Sequence, residues 1–350
     1  MTDQDVDILD DEHPFAPYVR ILGRGKKGAR PLTQDEAYEA MSMVLGGQVE
    51  DTQLGAFLML LRIKEETAEE LAGFAAAAQD SVALPAGNAA ITLDWPTYAG
   101  KRRQLPWFIL AALLLSRNGI PVLMHGTRGT KTDRVYSIDA LQALGIDASA
   151  SLNSAVKAIA DSNFAYVDLE TVSPKLKQIL DLRRQFGLRS PINTLLRILN
   201  PGRAPYVLQS TFHPGYRQVH QQAGQLLKQP HLAVFKGEGG EIECVPDQDC
   251  QVFSLHDGVI SDETWPALHQ GRRFLKDSDM DVSRMPALWR GEIEDGYAEA
   301  AVIGTTAIAL RLLGRADSIE AAQGLAAEMW KGRNRTEYWG LSQKHTTASP

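Results

Sequence analysis

Two short apolar segments, each followed by a loop rich in cations, constrain the fold of this chain more than any other feature. The first covers residues 91–95 and leads into the loop 96–104, and the second covers residues 121–124 and leads into the loop 125–134. An apolar stretch over residues 104–118 predicts a helix between them. Strand, crossover helix and strand form a parallel β-α-β unit, which brings both loops to the sheet edge where ligands bind.

Both loops carry a cluster of cations. The first loop contains Lys101, Arg102 and Arg103, and the second contains Arg128, Lys131 and Arg134. If the β-α-β unit is correct, these cations converge on one edge of the sheet and create a positive surface there. The alternative interpretation is a pair of solvated surface loops that bind nothing.

The net charge of the chain conceals this basic region. The formal net charge is -7, but residues 1–16 contain acids and no Lys or Arg, and acids also dominate residues 238–350. Lys and Arg outnumber the acids in the centre. A basic centre between acidic ends can produce a local positive field whatever the total charge is.

Length and composition indicate an ordinary globular protein of the cytoplasm. The 350 residues suggest two domains, and a hydrophobic content of 44% supplies a sizeable core. The two cysteines, Cys244 and Cys250, lack the spacing and the histidine partners of a metal site and exclude a disulfide framework. We find no signal peptide and no apolar run long enough to span a membrane. We therefore expect no cofactor, no bound metal and no membrane partner.

Residues 1–31 are predicted to form an acidic, mobile leader followed by a basic arm. Three glycines in the arm match the dinucleotide-binding pattern G-x-G-x-x-G, but Pro31 delays the helix that such a site requires directly afterwards. The cations of the arm are Arg24, Lys26, Lys27 and Arg30. Two interpretations stay open for this segment, a flexible arm that binds a polyanion and a plain basic linker.

Residues 32–85 are predicted to form a small helical domain, completed by helices within 173–200. The capping boxes Thr33 with Glu36 and Thr67 with Glu70 predict the starts of two helices, and a third is predicted over 52–64. The apolar face of that third helix is wide enough to suggest a subunit contact as well as a core contact, and a core contact alone is the alternative.

Residues 86–331 are predicted to form a large α/β domain, and residues 332–350 a polar tail. Strand patterns alternate with helix patterns after residue 91, which is typical of a mostly parallel sheet. One helix is predicted over 175–186, and two antiparallel strands are predicted in EIECV and QVFSL, which begin at Glu241 and Gln251. The predicted fold class is α/β, with a small all-α N-terminal domain and a mostly parallel central sheet in the large domain.

Several segments resemble landmarks of the anthranilate phosphoribosyltransferase and nucleoside-phosphorylase-like family. They include LTQDEAYEAMSMVLGG, VLMHGTR, LRRQFGLRSPINTLLRILNP and FKGEGGEIE, and the similarity covers most of the chain. The resemblance implies a small helical domain joined to a large α/β domain and pairing through the small domains, so we predict a homodimer. It also implies a ligand cleft, to which Gly100, His125, Gly126 and Asn193 correspond in this sequence.

The resemblance also shows where this chain departs from the enzymes. They bind pyrophosphate with a loop of the form G-T-G-G-D after the first strand, and here only Gly100 remains of those glycines. Their magnesium-binding Asp-Glu pair falls on Glu241 and Ile242, which leaves one carboxylate and a poor Mg²⁺ site. Arg183, which matches an arginine that contacts anthranilate, is retained. We therefore expect no Mg²⁺-dependent turnover with anthranilate.

The segments GRGKKGARPL and PTYAGKRRQ resemble the YbiB-type branch of this family, whose members keep the transferase fold but bind nucleic acid. The resemblance implies a basic groove that binds single- or double-stranded DNA and RNA with little sequence preference. Arg183, Arg184 and Arg189 are predicted to join the cations of the arm and the loops, with Tyr98 stacking on bases. The main prediction is thus a non-enzymatic nucleic-acid-binding protein. The alternative is a glycosyl or phosphoribosyl transferase with an altered phosphate site.

Overall fold

In the computed structural model, four helices at the N-terminal end of the chain form the core of the small domain. The structure describes residues 11–25, 27–271, 277 and 279–336. The four helices are α1 (Ala16–Gly23), α2 (Gln34–Leu45), α3 (Asp51–Lys64) and α4 (Ala68–Asp80). The first ten residues of the predicted leader, Lys26 of the predicted arm and residues 337–350 of the predicted tail lie outside the described residues.

Capping boxes define the starts of α2 and α4. The Thr33 hydroxyl accepts a hydrogen bond from the backbone N–H of Glu36, whose side chain accepts one from the backbone of Thr33, and Thr67 and Glu70 make the same pair. Each box satisfies N–H groups that a helix end leaves without partners, which stabilises the helix by about 1 kcal/mol. Both predicted capping boxes are confirmed.

The segment before α2 is more ordered than the sequence analysis predicted. Phe15 is fully buried and packs edge-on against Phe57 of α3, so the predicted mobile leader is wrong for residues 11–16. Helix α1 follows directly and buries Leu22. The physical reason is that the apolar residues between 15 and 22 cover a face of α3 that would otherwise contact water.

A seven-stranded sheet forms the centre of the large domain. Its strands, in chain order, are β1 (Leu93–Thr97), β2 (Val122–Gly126), β3 (Phe164–Asp168), β4 (Tyr206–Thr211), β5 (His231–Lys236), β6 (Cys250–His256) and β7 (Val259–Trp265). Their spatial order is β3-β2-β1-β4-β5-β6-β7. The first five strands pair in parallel, and β6 and β7 add an antiparallel hairpin. The predicted α/β fold with a small helical domain and a mostly parallel sheet is confirmed.

Helices cover the sheet and complete both cores. They are α5 (Phe108–Arg117), α6 (Ser137–Ala143), α7 (Leu152–Ser162), α8 (Leu169–Val172), α9 (Pro174–Asp181), α10 (Arg183–Phe186), α11 (Ile192–Leu195), α12 (Tyr216–Leu226), α13 (Arg284–Arg290), α14 (Gly296–Leu312) and α15 (Ile319–Lys331). Every side chain of α5 from Phe108 to Ser116 is buried, which explains its uninterrupted apolar sequence. The apolar core of the small domain extends into α9 and α11 through Leu176 and Leu195.

Two local predictions in the large domain are wrong. Residues 175–186 form two helices, α9 and α10, rather than one, and Leu182 lies between them. EIECV does not form a strand, because Glu241 and Glu243 turn inward to bind groups from other parts of the chain. Strand β6 pairs instead with β7, which the sequence analysis did not identify.

Within the part of the chain that the structure describes, we find no helix that is both long and apolar enough to cross a bilayer.

Candidate functional site

The principal cleft lies where the strand order reverses. The chain proceeds from β1 outward to β2 and β3 on one side, and from β4 outward to β5 on the other, so β1 and β4 are neighbours. Ligands of open α/β sheets bind at the carboxyl ends of the strands at such a switch point. Here Tyr98 follows β1 and Phe212 follows β4, and both line a cavity of about 460 Å³.

The walls of this cleft come from both domains. The small domain supplies Arg62, Glu65 and Glu66 from the end of α3, and the segment after α10 supplies Arg189 and Asn193. A cavity of this size suits a small metabolite. The buried Oδ1 atom of Asn193 has no hydrogen-bond partner among the described residues, so an acceptor is available for a ligand there.

A larger cavity of about 790 Å³ lies beyond Phe212 and His213. Its walls mix cations such as Arg103 and Arg217 with the acids Asp247 and Asp249. We place the candidate site in the smaller cleft, because that cleft lies at the switch point. Its cations, together with those of a small adjoining pocket, also outnumber its acids.

Arginine side chains form the strongest electrostatic feature of the cleft. Arg189 is exposed, but partial burial of its guanidinium group and the charges of its neighbours lower its pKa to about 10. These neighbours are Arg197, Arg183, Arg134 and Arg62. A small adjoining pocket brings Arg134, Arg183 and Arg189 together with Tyr98 and Asn193. Cations that repel one another across a solvent-filled space form a binding site for an anion.

Two arginines of this cluster are fixed by backbone carbonyl groups. Arg197 donates from Nη1 to the carbonyl oxygen of Ser210 at 2.8 Å and also to that of Gly240. Arg134 donates from Nη1 to the carbonyl oxygens of Ala99 at 2.5 Å and Gly100 at 3.1 Å. Burial lowers the pKa of Arg197, and the charge of Glu241 opposes that effect. Both guanidinium groups are therefore held in place before any ligand binds.

The loop after β1 offers backbone N–H groups to an anion. Gly100 has a φ of 67°, and a Cβ atom there would lie 2.7 Å from the ring of Tyr136, so no other residue fits without strain. The N–H groups of Ala99 and Gly100 both donate to Oε1 of Glu241, at 2.7 and 2.6 Å. Burial raises the pKa of Glu241, opposed by the charge of Arg197 and by these two N–H groups. A carboxylate of the protein thus lies where the resemblance predicts a phosphate.

Tyr98, His125 and Asp94 form a hydrogen-bonded chain at the floor of the cleft. The Tyr98 hydroxyl lies 2.7 Å from His125 Nδ1, and His125 Nε2 lies 3.3 Å from Asp94 Oδ2. Burial and nearby acids raise the pKa of Tyr98 well above its ordinary value, so the hydroxyl stays protonated and donates to Nδ1. The Nε2–H group then donates to Asp94, which sets the tautomer of His125.

The four residues of the predicted residual cleft differ in their placement. Gly126 ends β2 beside the end of β1, and Gly100 lies in the loop after β1. Asn193 lines the small pocket with Tyr98, whereas His125 is fully buried and bonded to the Tyr98 hydroxyl. A Cβ atom on Gly126 would lie 2.2 Å from the carbonyl oxygen of Thr97, so this glycine permits the close approach of the two strands.

Lys101 contradicts its predicted role at a basic surface. Its side chain is fully buried, and its ammonium group lies 2.5 Å from Glu243 Oε1 and contacts Glu238 Oε2. The second oxygen of Glu243 accepts a hydrogen bond of 2.9 Å from the N–H of Phe108. Lys101 therefore cannot reach a phosphate in solvent, because its charge is already neutralised inside the protein.

A divalent cation does not fit the acidic loop between β5 and β6. Ile242, at one position of the expected metal-binding pair, is buried in the apolar core, and Glu241 binds the backbone N–H groups of the β1 loop. Glu238 and Glu243 bind Lys101. Among the described residues, no group of three or more His, Cys, Asp or Glu side chains is arranged to hold a metal ion.

The cations of the predicted arm lie away from the cleft wherever the structure describes them. Arg24 and Lys27 are exposed beyond the end of α1. Arg30 donates from Nη1 and Nη2 to the two carboxylate oxygens of Glu36, at 2.6 Å each, so its charge is balanced by an acid in the first turn of α2. None of these residues lines either cavity at the switch point. The prediction that the arm joins the cations of the loops in one groove is not supported by this placement.

The remaining predicted cations divide between the small pocket and other surfaces. Arg128, Lys131, Arg183 and Arg184 line the pocket beside Arg134, and Arg128 is paired with Asp139. Arg103 lines the larger cavity instead, and Arg102 is exposed. The two loops therefore do not present one continuous basic face.

The aromatic residues near the loops are structural. Trp95 and Trp107 are fully buried in the core of the large domain, so neither can stack on a base. Tyr98 is partly buried and its hydroxyl is bound to His125, which places it in the cleft wall rather than on an exposed platform.

Several residues of the cleft were missed by the sequence analysis. Arg197 follows Asn193 by four positions in a helical segment, and this spacing could have placed it on the same face. His220 is buried beside the cleft, and its Nδ1–H donates to Gln209 Oε1 at 2.8 Å. Arg62 carries no local signal, since it reaches the cleft from a different domain.

Comparisons with known proteins identify both parts of the chain. Residues 16–82 match the helical bundle domain of the glycosyl transferase family, and residues 109–333 match its a/b domain. An anthranilate phosphoribosyltransferase from Geobacillus stearothermophilus is 28% identical over 316 residues, which cover 88% of this chain and 92% of that protein. The uncharacterized protein YbiB from Escherichia coli strain K12 is 32% identical over 208 residues, covering 58% of this chain and 64% of that protein.

Solved structures confirm the fold. The anthranilate phosphoribosyltransferase from Thermus thermophilus superposes with a TM-score of 0.76 at 22% identity, covering 91% of this chain and 94% of that one. At this level of identity the likeness concerns the fold alone.

The predicted nucleic-acid-binding function is contradicted by these comparisons. The relative and the solved structure that carry a functional name are phosphoribosyltransferases, and the YbiB relative has no described function. The buried, ion-paired Lys101 removes a central cation of the predicted groove. The predicted homodimer through the small helical domain stays a prediction, because a single chain is described.

Proposed function

The chain belongs to the glycosyl transferase family, and on this premise we propose that its cleft transfers a phosphoribosyl or related glycosyl group from a phosphorylated donor to an anionic acceptor. The bond between the sugar and its phosphate oxygen breaks, the acceptor bonds to the sugar carbon, and phosphate or pyrophosphate leaves. One observation carries the proposal. The cleft at the switch point between β1 and β4 is lined by mutually repelling guanidinium groups, and it borders the β1 loop, whose buried N–H groups already bind the carboxylate of Glu241.

The arginine side of the cleft suits the acceptor. Arg183 and Arg189 share the small pocket with Asn193, whose Oδ1 atom is free to accept a hydrogen bond from a ligand. A carboxylate in this pocket would relieve the repulsion between the guanidinium groups, which favours its binding. Arg183 is also the residue that corresponds to an anthranilate-contacting arginine in the resemblance described above.

The loop side of the cleft suits the phosphates of the donor. The N–H groups of Ala99 and Gly100 point at Glu241, and a phosphate oxygen can accept from them only in exchange for that carboxylate. This exchange is possible because the two acceptors make the same kind of hydrogen bond. The loop offers fewer N–H groups to a phosphate than a glycine-rich loop does. The affinity for the phosphorylated substrate therefore depends more on the arginines.

A fluorescence assay tests the proposal. The purified chain is mixed with phosphoribosyl pyrophosphate and anthranilate, with and without Mg²⁺, and the loss of anthranilate fluorescence is followed. We expect turnover that falls about tenfold or more in Arg183→Gln, because one charged hydrogen bond contributes roughly 1.5–3 kcal/mol.

Arg315→Gln provides the matched control, because Arg315 is exposed just after α14 and lines none of the three cavities. Turnover equal to wild type is expected for this variant. If the wild type shows no turnover with anthranilate or with a panel of other aromatic and aliphatic carboxylates, the proposal fails.

A further inference from the structure

Lys101 occupies the position between carboxylates that a metal ion takes in many phosphate-binding sites. Glu238 and Glu243 approach its ammonium group from the loop between β5 and β6, and both are brought there by a turn through Gly239, whose φ is 65°. Two carboxylates are the protein ligands that commonly hold Mg²⁺ beside a phosphate. Here an ammonium group lies between the two carboxylates.

The backbone around Lys101 is held on both sides. The N–H of Lys101 donates to the carbonyl oxygen of Val135 at 2.9 Å, and the N–H of Val135 donates back to Lys101 at 2.8 Å. The Lys101 stem passes beneath the acidic loop, since a Cβ atom on Gly239 would lie 3.6 Å from its Cδ atom. The ammonium group therefore has no free path out of the site.

The ammonium group of Lys101 is enclosed between two carboxylates, those of Glu243 and Glu238. A divalent cation would need to enter against a fixed positive charge in a site of low polarity, where repulsion between like charges is strong. It would also need the carboxylate oxygens that Lys101 already holds.

We infer that Lys101 takes the place of a divalent cation in this site, so that the chain binds its phosphate-bearing ligand as the free anion rather than as a magnesium complex. The phosphate-bearing ligand rests on the proposed function, whereas the exclusion of the metal rests on Lys101, Glu238 and Glu243 alone. The charge of the ligand is then balanced by the arginine cluster around Arg189.

Manganese binding followed by electron paramagnetic resonance tests the exclusion of the metal directly. The full chain without ligand is titrated with Mn²⁺, and the free ion is measured. We expect no site tighter than millimolar in the wild type. Lys101→Ala removes the ammonium group and leaves a space lined by two carboxylates, and we expect this variant to gain one Mn²⁺ site.

Lys157→Ala is the control, because Lys157 is exposed on α7, lines none of the cavities and contacts neither glutamate. It should bind Mn²⁺ no better than wild type. A tight Mn²⁺ site in the wild type that disappears in Glu243→Gln would overturn the inference, whether or not Lys101→Ala folds. A folded Lys101→Ala that gains no Mn²⁺ site would also overturn it.

Calorimetry with inorganic pyrophosphate tests the form of the ligand. Pyrophosphate is titrated into the wild type in EDTA and again with excess Mg²⁺. We expect equal or tighter binding in EDTA, because the arginines bind the free anion and Mg²⁺ competes with them for it. Binding only in the presence of Mg²⁺ would contradict the inference. Neither measurement requires turnover, so failure of the proposed transferase activity is distinguishable from failure here.

Discussion

The cations on the two sides of the β1 loop differ in how their charges are balanced. Lys101 is fully buried between Glu238 and Glu243, so the protein itself supplies the opposite charge. Arg189 is exposed and faces other guanidinium groups across the cleft. The first arrangement is complete without a ligand, whereas the second becomes more favourable when an anion enters. Of these cations, only those on the arginine side therefore mark a binding site.

This difference shows that a count of cations near a loop does not identify a binding surface. Lys101 and Arg189 look equivalent in the sequence, as members of basic segments. Burial forces a charge to find a partner inside the fold, because an isolated ion away from water is very unfavourable. An exposed cation is solvated by water, so it needs no partner inside the fold and can bind a ligand.

Replacing Lys101 by Met should produce the largest effect. Met retains most of the volume of the side chain, so the change reports on the charge rather than on a cavity. It leaves Glu238 and Glu243 close together without a cation, and breaking a buried pair in this way costs about 3–5 kcal/mol. Urea unfolding at pH 7 should show a free energy of unfolding lower by that amount.

Arg102→Met is the matched control for this prediction, because Arg102 is the next residue in the chain and is exposed. Its free energy of unfolding should stay within about 0.5 kcal/mol of wild type. Equal stability of the two variants would mean that Lys101 is not held by the glutamates, and the contrast between the two sides of the loop would disappear.

The fold could be predicted from the sequence because its signals are local. The capping boxes of α2 and α4 need only Thr33 and Thr67 and the glutamate three residues after each. Strands β1 and β2 were located within a few residues from their short apolar runs between turn residues. Where the local signal was ambiguous, as in EIECV, the prediction failed, because contacts with distant groups decided the conformation.

The site could not be predicted in the same way, because its contacts join distant parts of the chain. Lys101 and Glu243 are 142 positions apart, and Gly100 and Glu241 are 141 apart. No periodicity or spacing in the sequence links such pairs. The resemblance to a family with a phosphate loop indicated where the site lies, but not which side chains of this protein occupy it.

Acid should destabilise the cleft through His220. Burial and the charge of Arg197 lower its pKa to about 3, whereas an unfolded histidine titrates near pH 6.5. The unfolded chain therefore takes up a proton below about pH 6.5 that the folded protein cannot bind until about pH 3, and stability is lost as the pH falls between these values. By pH 5 the loss from this residue is about 2 kcal/mol.

Urea unfolding at pH 7 and pH 5 measures this loss. His220→Gln keeps a donor for Gln209 but has no titrating group, so its stability should change less between the two pH values than that of wild type. His213→Gln replaces an exposed histidine of the same cleft, and its free energy of unfolding should change between the two pH values as much as that of wild type. An equal change in all three proteins would show that His220 is not held neutral by the cleft.

The smallest effect on stability is expected for Arg189→Gln, where the contrast with Lys101 is sharpest. Among the residues that the structure describes, Arg189 has no carboxylate partner, and its removal relieves repulsion with Arg197 and Arg183. The free energy of unfolding should therefore stay within about 0.5 kcal/mol of wild type or rise slightly. Binding of inorganic pyrophosphate, measured by calorimetry in low salt, should nevertheless weaken about tenfold, because the anion loses one charged hydrogen bond. Arg315→Gln should change neither quantity. A variant at Arg189 that loses stability as Lys101→Met does, while still binding pyrophosphate normally, would mean that the arginines serve the fold and that the anion binds elsewhere.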